Sequence, residues 1–174
     1  MNDDAQLEFW IQQYYDRLTY IAYTYVRNRS QAEEIVQESF VNAYRSRQQL
    51  RDSSSAYSWL IRIVINQCHT AIRKNKREWT TASIPEQTSS SAEDIYVRIT
   101  QHQEVYSAIM SLAEKYRMPI ILFYFEELSI RDIADALHLG EGTVKTRLAR
   151  GRKKLKHILT GSDESDLGYA VKGL

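Results

Sequence analysis

The first 139 residues contain no glycine, and the whole chain of 174 holds only two prolines, Pro85 and Pro119. Tight β-turns draw on residues that enter positive φ without a Cβ penalty, and a β-rich fold would need many of them. All six glycines lie at position 140 or later. The expected fold class is therefore all-α. With 43% apolar residues the chain can build a core, and its length suits one ordinary domain or two small ones.

No run approaches the roughly 18 uninterrupted apolar residues of a membrane span. The longest strongly apolar run is Met118 to Phe125. The chain opens with Asp3 and Asp4 rather than with a basic segment followed by an apolar one, so no signal peptide is read there. Cys68 is the single cysteine and cannot form an intrachain disulfide, which fits a reducing compartment. A soluble cytoplasmic protein is expected.

Helical periodicity divides the chain. Leu7, Ile11, Tyr14, Leu18, Ile21 and Tyr25 recur at steps of three and four and form one stripe. Ser30 followed by Glu33 reads as a capping box that starts a second helix, with Ala32, Val36, Phe40 and Ala43 inward and an end near Arg47. A third helical segment, capped by Ser55 or a neighbour, carries Trp59, Leu60, Ile63, Val64 and Gln67 at helical spacing. Ala71 and Ile72 continue the pattern, and sequence does not place a break between Asn66 and Thr70. Residues 78–97 change character, with seven Ser or Thr and Pro85. As a flexible linker they would span roughly 25 Å. The expected organisation is two small helical domains, 1–77 and 98–160, joined by the linker 78–97 and followed by an acidic tail, 161–174. In the second domain a helix over 99–113 turns Val105, Ile109 and Leu112 inward. Pro119 suits the first turn of the next helix. Ser129 caps a short helix with Ile130, Ile133, Ala134 and Leu137 inward, and after His138-Leu139-Gly140 a basic helix runs from about Glu141 to Leu159.

The net charge of +1 hides strong segregation. Residues 1–41 hold three basic and seven acidic side chains, and 42–77 hold eight basic against only Asp52. Residues 78–97 hold four acids and no base, whereas 143–157 hold seven bases and no acid. Two such basic blocks are the footprint expected of a polyanion partner, although a charge run can also be a solvated helix face.

Short helix, tight turn and basic helix make the helix-turn-helix pattern, whose second helix lies in the DNA major groove. At about 100° per residue, Val144, Leu148, Gly151, Leu155 and Ile158 fall on one side and Thr146, Arg150 and Lys153 opposite. Thr143, Thr146 and Arg150 are candidates for base edges, and Lys145, Arg147, Arg152 and Lys153 for phosphates. The rival is an ordinary amphipathic helix with a solvated basic face.

Here the sequence resembles the extracytoplasmic-function sigma factors of bacterial RNA polymerase, over residues from about 7 to 159. The resemblance rests on Leu128-Ser129-Ile130-Arg131-Asp132-Ile133-Ala134 and Glu141-Gly142-Thr143-Val144-Lys145-Thr146-Arg147-Leu148-Ala149-Arg150-Gly151-Arg152 in the second half. In the first half it rests on Gln31-Ala32-Glu33-Glu34-Ile35-Val36-Gln37-Glu38-Ser39-Phe40, then on Trp59-Leu60-Ile61-Arg62-Ile63, Asn66-Gln67-Cys68 and Ala71-Ile72-Arg73-Lys74. The two halves, in this order across a linker, are specific.

The resemblance implies a protein that binds RNA polymerase core and directs promoter-specific initiation without catalysis of its own. It implies core binding by Ala32, Glu33, Glu34, Ile35, Val36, Gln37, Glu38 and Phe40. It implies minus-10 contact by Trp59, Arg62, Asn66, Gln67, His69, Arg73, Lys74 and Arg77, and minus-35 contact by Thr143, Lys145, Thr146, Arg147, Arg150, Arg152 and Lys153. Its partners would be core polymerase, promoter DNA and an anti-sigma factor, the family commonly using a membrane-anchored one. Trp59 has two readings, a stacking platform for a base or a core residue in an apolar stripe. The family usually carries Asp at the positions of Gln31 and His69, Pro at that of Ala113 and Gly at that of His138. A left-handed His138 would carry strain of about 1 kcal/mol.

An enzyme lacks its parts here. Cys68 and His69 are adjacent and diverge on a helix, no Cys or His spacing suits a metal, and no glycine loop cradles a phosphate. No cofactor and no metal are expected. The nearer rival is a free-standing helix-turn-helix regulator that binds duplex DNA as a dimer.

Overall fold

A computed structural model describes residues 3–50, 55–79 and 103–161, with side chains over 5–50, 55–75 and 104–161. Among the described residues there are seven α-helices and no strand: α1 (Asp3–Val26), α2 (Arg29–Ser46), α3 (Ala56–Trp79), α4 (Gln103–Ser111), α5 (Glu114–Tyr124), α6 (Ile130–Leu137) and α7 (Glu141–Thr160). The chain divides into two compact units between Arg98 and Ile99. The expected linker 78–97 begins inside α3, which runs to Trp79, and its remainder lies outside the described residues, as does all of the expected tail beyond Gly161.

In the first unit α1, α2 and α3 each pack against the other two. Leu18, Ile21 and Ala22 of α1, Ala32, Val36, Phe40 and Ala43 of α2, and Leu60, Ile61, Val64, Ile65 and Cys68 of α3 are buried together. Trp10 joins them in place of Ile11, which the stripe turns inward and which is exposed. The N-cap of α2 lies two residues before the expected one. Asn28, in extended conformation, is the N-cap, and its side-chain oxygen accepts the Gln31 N–H at 2.9 Å. Glu33 is drawn instead to Arg29, whose Nε donates to Oε1 at 2.8 Å and whose guanidinium is raised above its usual pKa chiefly by that bond. A single 3₁₀ turn, Arg47–Gln49, closes α2. α3 is one helix through Asn66 to Thr70.

In the second unit α7 packs against α4, α5 and α6. α4 begins at Gln103 and ends at Ser111, with Val105 half-buried and Ile109 and Leu112 buried; residues 99–102 of the expected helix lie outside the described residues. Pro119 is the sixth residue of α5, not a first-turn residue, because the helix starts at Glu114 after an Ala113 that provides no capping side chain. Arg117 is buried, and its Nη1 donates to the carbonyls of Leu112 at 2.8 Å and Met110 at 3.3 Å. It thereby satisfies oxygens that the end of α4 leaves without helical donors. Ser129 caps α6, its hydroxyl accepting the Asp132 N–H at 3.1 Å. Among the described residues no helix is long and apolar enough to cross a membrane.

Three described non-glycine residues are left-handed: Arg27, Glu127 and His138, with φ of 55°, 55° and 54°. Each stands where a helix has just ended, the place glycine usually takes, and costs about 1 kcal/mol there. At these three helix ends the glycine-free first 139 residues thus turn with ordinary side chains.

Candidate nucleic-acid and polymerase interfaces

On α2 the eight core-binding candidates separate by burial. Ala32, Ile35, Val36 and Phe40 lie in the three-helix core and are not surface residues, a correction that follows from their spacing along the inward stripe. Glu34, Gln37 and Glu38 are exposed, and Glu33 is half-buried beside Arg29. The outward face also carries Val41, 47% exposed, one turn beyond Gln37 and Glu38. Sequence reading passed over it, although an apolar residue off the buried stripe was the available signal.

On α3 the opposite face is basic and polar. Arg62, Asn66, His69 and Arg73 follow one another at steps of four, three and four, and all are exposed. Lys74 and Thr70 flank them, exposed as well, and Gln67 is half-buried. The side chain of Arg77 lies outside the described residues. The Arg73 guanidinium folds back on its own helix, Nε donating to His69 O at 3.2 Å and Nη2 to Thr70 Oγ1 at 3.4 Å. His69 is braced from α1 by Tyr25, the rings 5.3 Å apart at 57°. Nothing local in the sequence pairs these two residues, which come from different helices.

Trp59 belongs with the core rather than the surface. It is 8% exposed, and its ring meets Trp10 edge-on at 5.9 Å. Both neighbours on its side, Ala56 and Leu60, are buried too. Of its two readings the structure takes the apolar one.

The second unit presents α7. His138 ends α6 in the left-handed region, with Leu139 N donating to Ala134 O at 2.9 Å, and Gly140 in extended conformation caps α7. Val144, Leu148 and Gly151 face inward. A Cβ on Gly151 would stand 3.1 Å from Ile120 Cγ1, so the bare glycine is what lets α7 lie this close to α5. Thr143, Lys145, Thr146, Arg150 and Lys153 are exposed and Arg147 is half-buried. The Thr146 hydroxyl donates back to Gly142 O at 2.9 Å. Arg152, a phosphate candidate, is half-buried, and its Nη1 donates to the Tyr124 hydroxyl on α5 at 3.4 Å. Ile158, expected inward, is 46% exposed near the end of α7. Among the described residues no group of His, Cys, Asp and Glu side chains could hold a metal.

Comparison with known proteins agrees with this layout. Residues 10–78 match the model of sigma-70 region 2 and residues 102–155 that of sigma-70 region 4. The chain is 32% identical over 158 residues to the ECF RNA polymerase sigma factor SigW of Bacillus subtilis, covering 84% of each. It is 33% identical over 147 residues to RNA polymerase sigma factor SigV of the same organism, covering 83% of this chain and 86% of SigV. The sigma factor RpoE of Bartonella quintana, solved in complex with the anti-sigma factor NepR, shares the fold with a TM-score of 0.71 at 21% identity, over 91% of this chain and 99% of RpoE. With both sigma-70 regions matched in this order and relatives of this identity over most of its length, the chain belongs to the ECF sigma factors of RNA polymerase.

Proposed function

We propose a division of labour for this alternative sigma factor, which directs promoter-specific transcription initiation. Glu33, Glu34, Gln37 and Glu38 of α2, with Val41 among them, meet a basic and apolar surface of the polymerase core. Arg62, Arg73, Lys74 and Arg77 of α3 hold the phosphates of the displaced minus-10 strand. Asn66, Gln67 and His69 lie near its unstacked base. Thr143, Thr146 and Arg150 of α7 read minus-35 base edges, while Lys145, Arg147 and Lys153 hold phosphates.

The observation that carries this reading is that a helix with an exposed basic face occurs in each unit, one of them sharing its unit with an acidic face. A duplex-only regulator has no need of a second, separate basic stripe. Melting proceeds without a catalytic step: unstacking a base costs a few kcal/mol, which contacts to the freed strand offset. The chain is thus not an enzyme and takes no cofactor. Its work lies in the cytoplasm, with the polymerase. An anti-sigma factor is a further partner, supported by RpoE having been solved with one.

The test is transcription in vitro with purified core polymerase and a pull-down of core by the Glu34→Lys variant. Specific initiation only in the presence of this chain is expected, with core capture by the variant reduced about tenfold and its circular dichroism unchanged. Undiminished capture would remove α2 from the interface.

A further inference from the structure

The exposed far half of α7 borders a cavity of about 670 Å³ formed with the α4–α5 turn. Arg150, Lys153, Lys154 and Lys156 line it, together with Tyr116 and the exposed Ile158. Lys154 Nζ sits 5.6 Å from the centre of the Tyr116 ring. No carboxylate lines it among the described residues. The groove therefore combines concentrated positive charge with an aromatic and an aliphatic surface. That pairing fits an acidic segment with apolar side chains better than it fits bare phosphate.

Such a segment follows directly in the sequence. Residues 162–174 carry Asp163, Glu164 and Asp166, then Leu167, Tyr169 and Val171. We propose that residues 162–174 dock into this groove, acids on the lysines and Leu167 or Tyr169 against Tyr116 and Ile158, and compete there with duplex DNA for Arg150 and Lys153.

Reach, direction and charge agree. Gly161 is left-handed at φ 61°, its N–H on His157 O at 3.0 Å, so the chain leaves the helix axis at this point. Arg150 lies eleven residues back along α7, about 16 Å. Five extended residues beyond Gly161 cover about 17 Å, which brings Asp166 within range of every cation in the groove. Acids just past a helix C-terminus also meet the negative end of its dipole, an effect of about 0.3–1 kcal/mol that favours moving them onto the lysines.

The docking itself stands on the groove and the segment; only the competition rests on α7 being a DNA reader. The experiment compares the full chain with its Asp163→Asn/Glu164→Gln/Asp166→Asn variant. Amide NMR shifts are expected to change at Tyr116 and in the α4–α5 turn, more than forty residues from the substitutions. Shifts confined to residues beside the substitutions would overturn the docking, even if DNA affinity rose through long-range repulsion alone. Non-specific duplex is expected to bind the variant roughly fivefold more tightly at low salt, the difference fading as salt screens it. Equal affinities with the remote shifts present would overturn the competition. Absence of duplex binding by both chains would instead count against α7 as the reader.

Discussion

The two units hold their exposed basic helices, α3 and α7, by different means. In the first, α3 is held by burying apolar and aromatic side chains along its length, with Trp59 against Trp10 and Leu60, Ile61, Val64 and Ile65 beneath. In the second, shorter helices bury only Val144, Leu148 and Gly151 of α7 and add local devices: the bare Gly151 against Ile120, the buried Arg117 on the end of α4, and the left-handed His138 before the turn. Bulk burial tolerates irregular surface chemistry, so α3 can carry whatever its strand requires. A unit positioned by close approaches depends on a few atoms.

The sharpest way to break this contrast is Trp59→Ala. Loss of a buried indole is expected to destabilise the first unit by about 3–5 kcal/mol while the second keeps its stability, as calorimetry would show in separate transitions. Unchanged stability with lost promoter opening would return Trp59 to the surface role. Next is Arg117→Met, which removes the guanidinium bonds to the Leu112 and Met110 carbonyls. It should destabilise the second unit by about 2 kcal/mol, read by thermal denaturation, and leave the first untouched.

Arg150→Ala and Lys153→Ala sharpen the comparison within α7. The first should cost about 1–3 kcal/mol of discrimination and change minus-35 preference. The second should lower the salt slope of duplex binding by about one unit without changing preference. Initiation assays on substituted promoters over a salt series separate them, and identical behaviour would erase the base-against-phosphate assignment. The smallest effect has the opposite sign. His138→Gly should stabilise the second unit by up to about 1 kcal/mol, seen as a small rise in Tm, because glycine enters the left-handed region without the Cβ contact.

Local signals were the legible ones. Ser129 as the cap of α6, the three-residue turn and the inward set Val144, Leu148 and Gly151 all depend on neighbours within a turn or two, and each is seen. The N-terminus of α2 was less legible because Asn28 and Ser30 can both cap, and Glu33 had a second partner in Arg29 that the capping-box pattern ignores. Ile11 and Ile158 misled because periodicity marks a stripe and not what covers it. The candidate site shows the same limit. Its charged residues were readable from composition, but the bracing of His69 by Tyr25 and the turning of Arg152 toward Tyr124 join residues far apart in sequence.

The uninterrupted course of α3 gives it a mechanical role. Its 24 residues form a rod about 36 Å long, clamped by the core along its buried face and carrying Arg73 and Lys74 near its far end. With no hinge between Asn66 and Thr70, tension from a strand held at that end is not absorbed by local bending. It is transmitted as torque to the packed aromatic end, where Trp10 and Trp59 interlock, and through the shared core to α2. On the proposed division of labour, a load on the DNA is therefore borne by the helix that carries Glu34, Gln37 and Glu38.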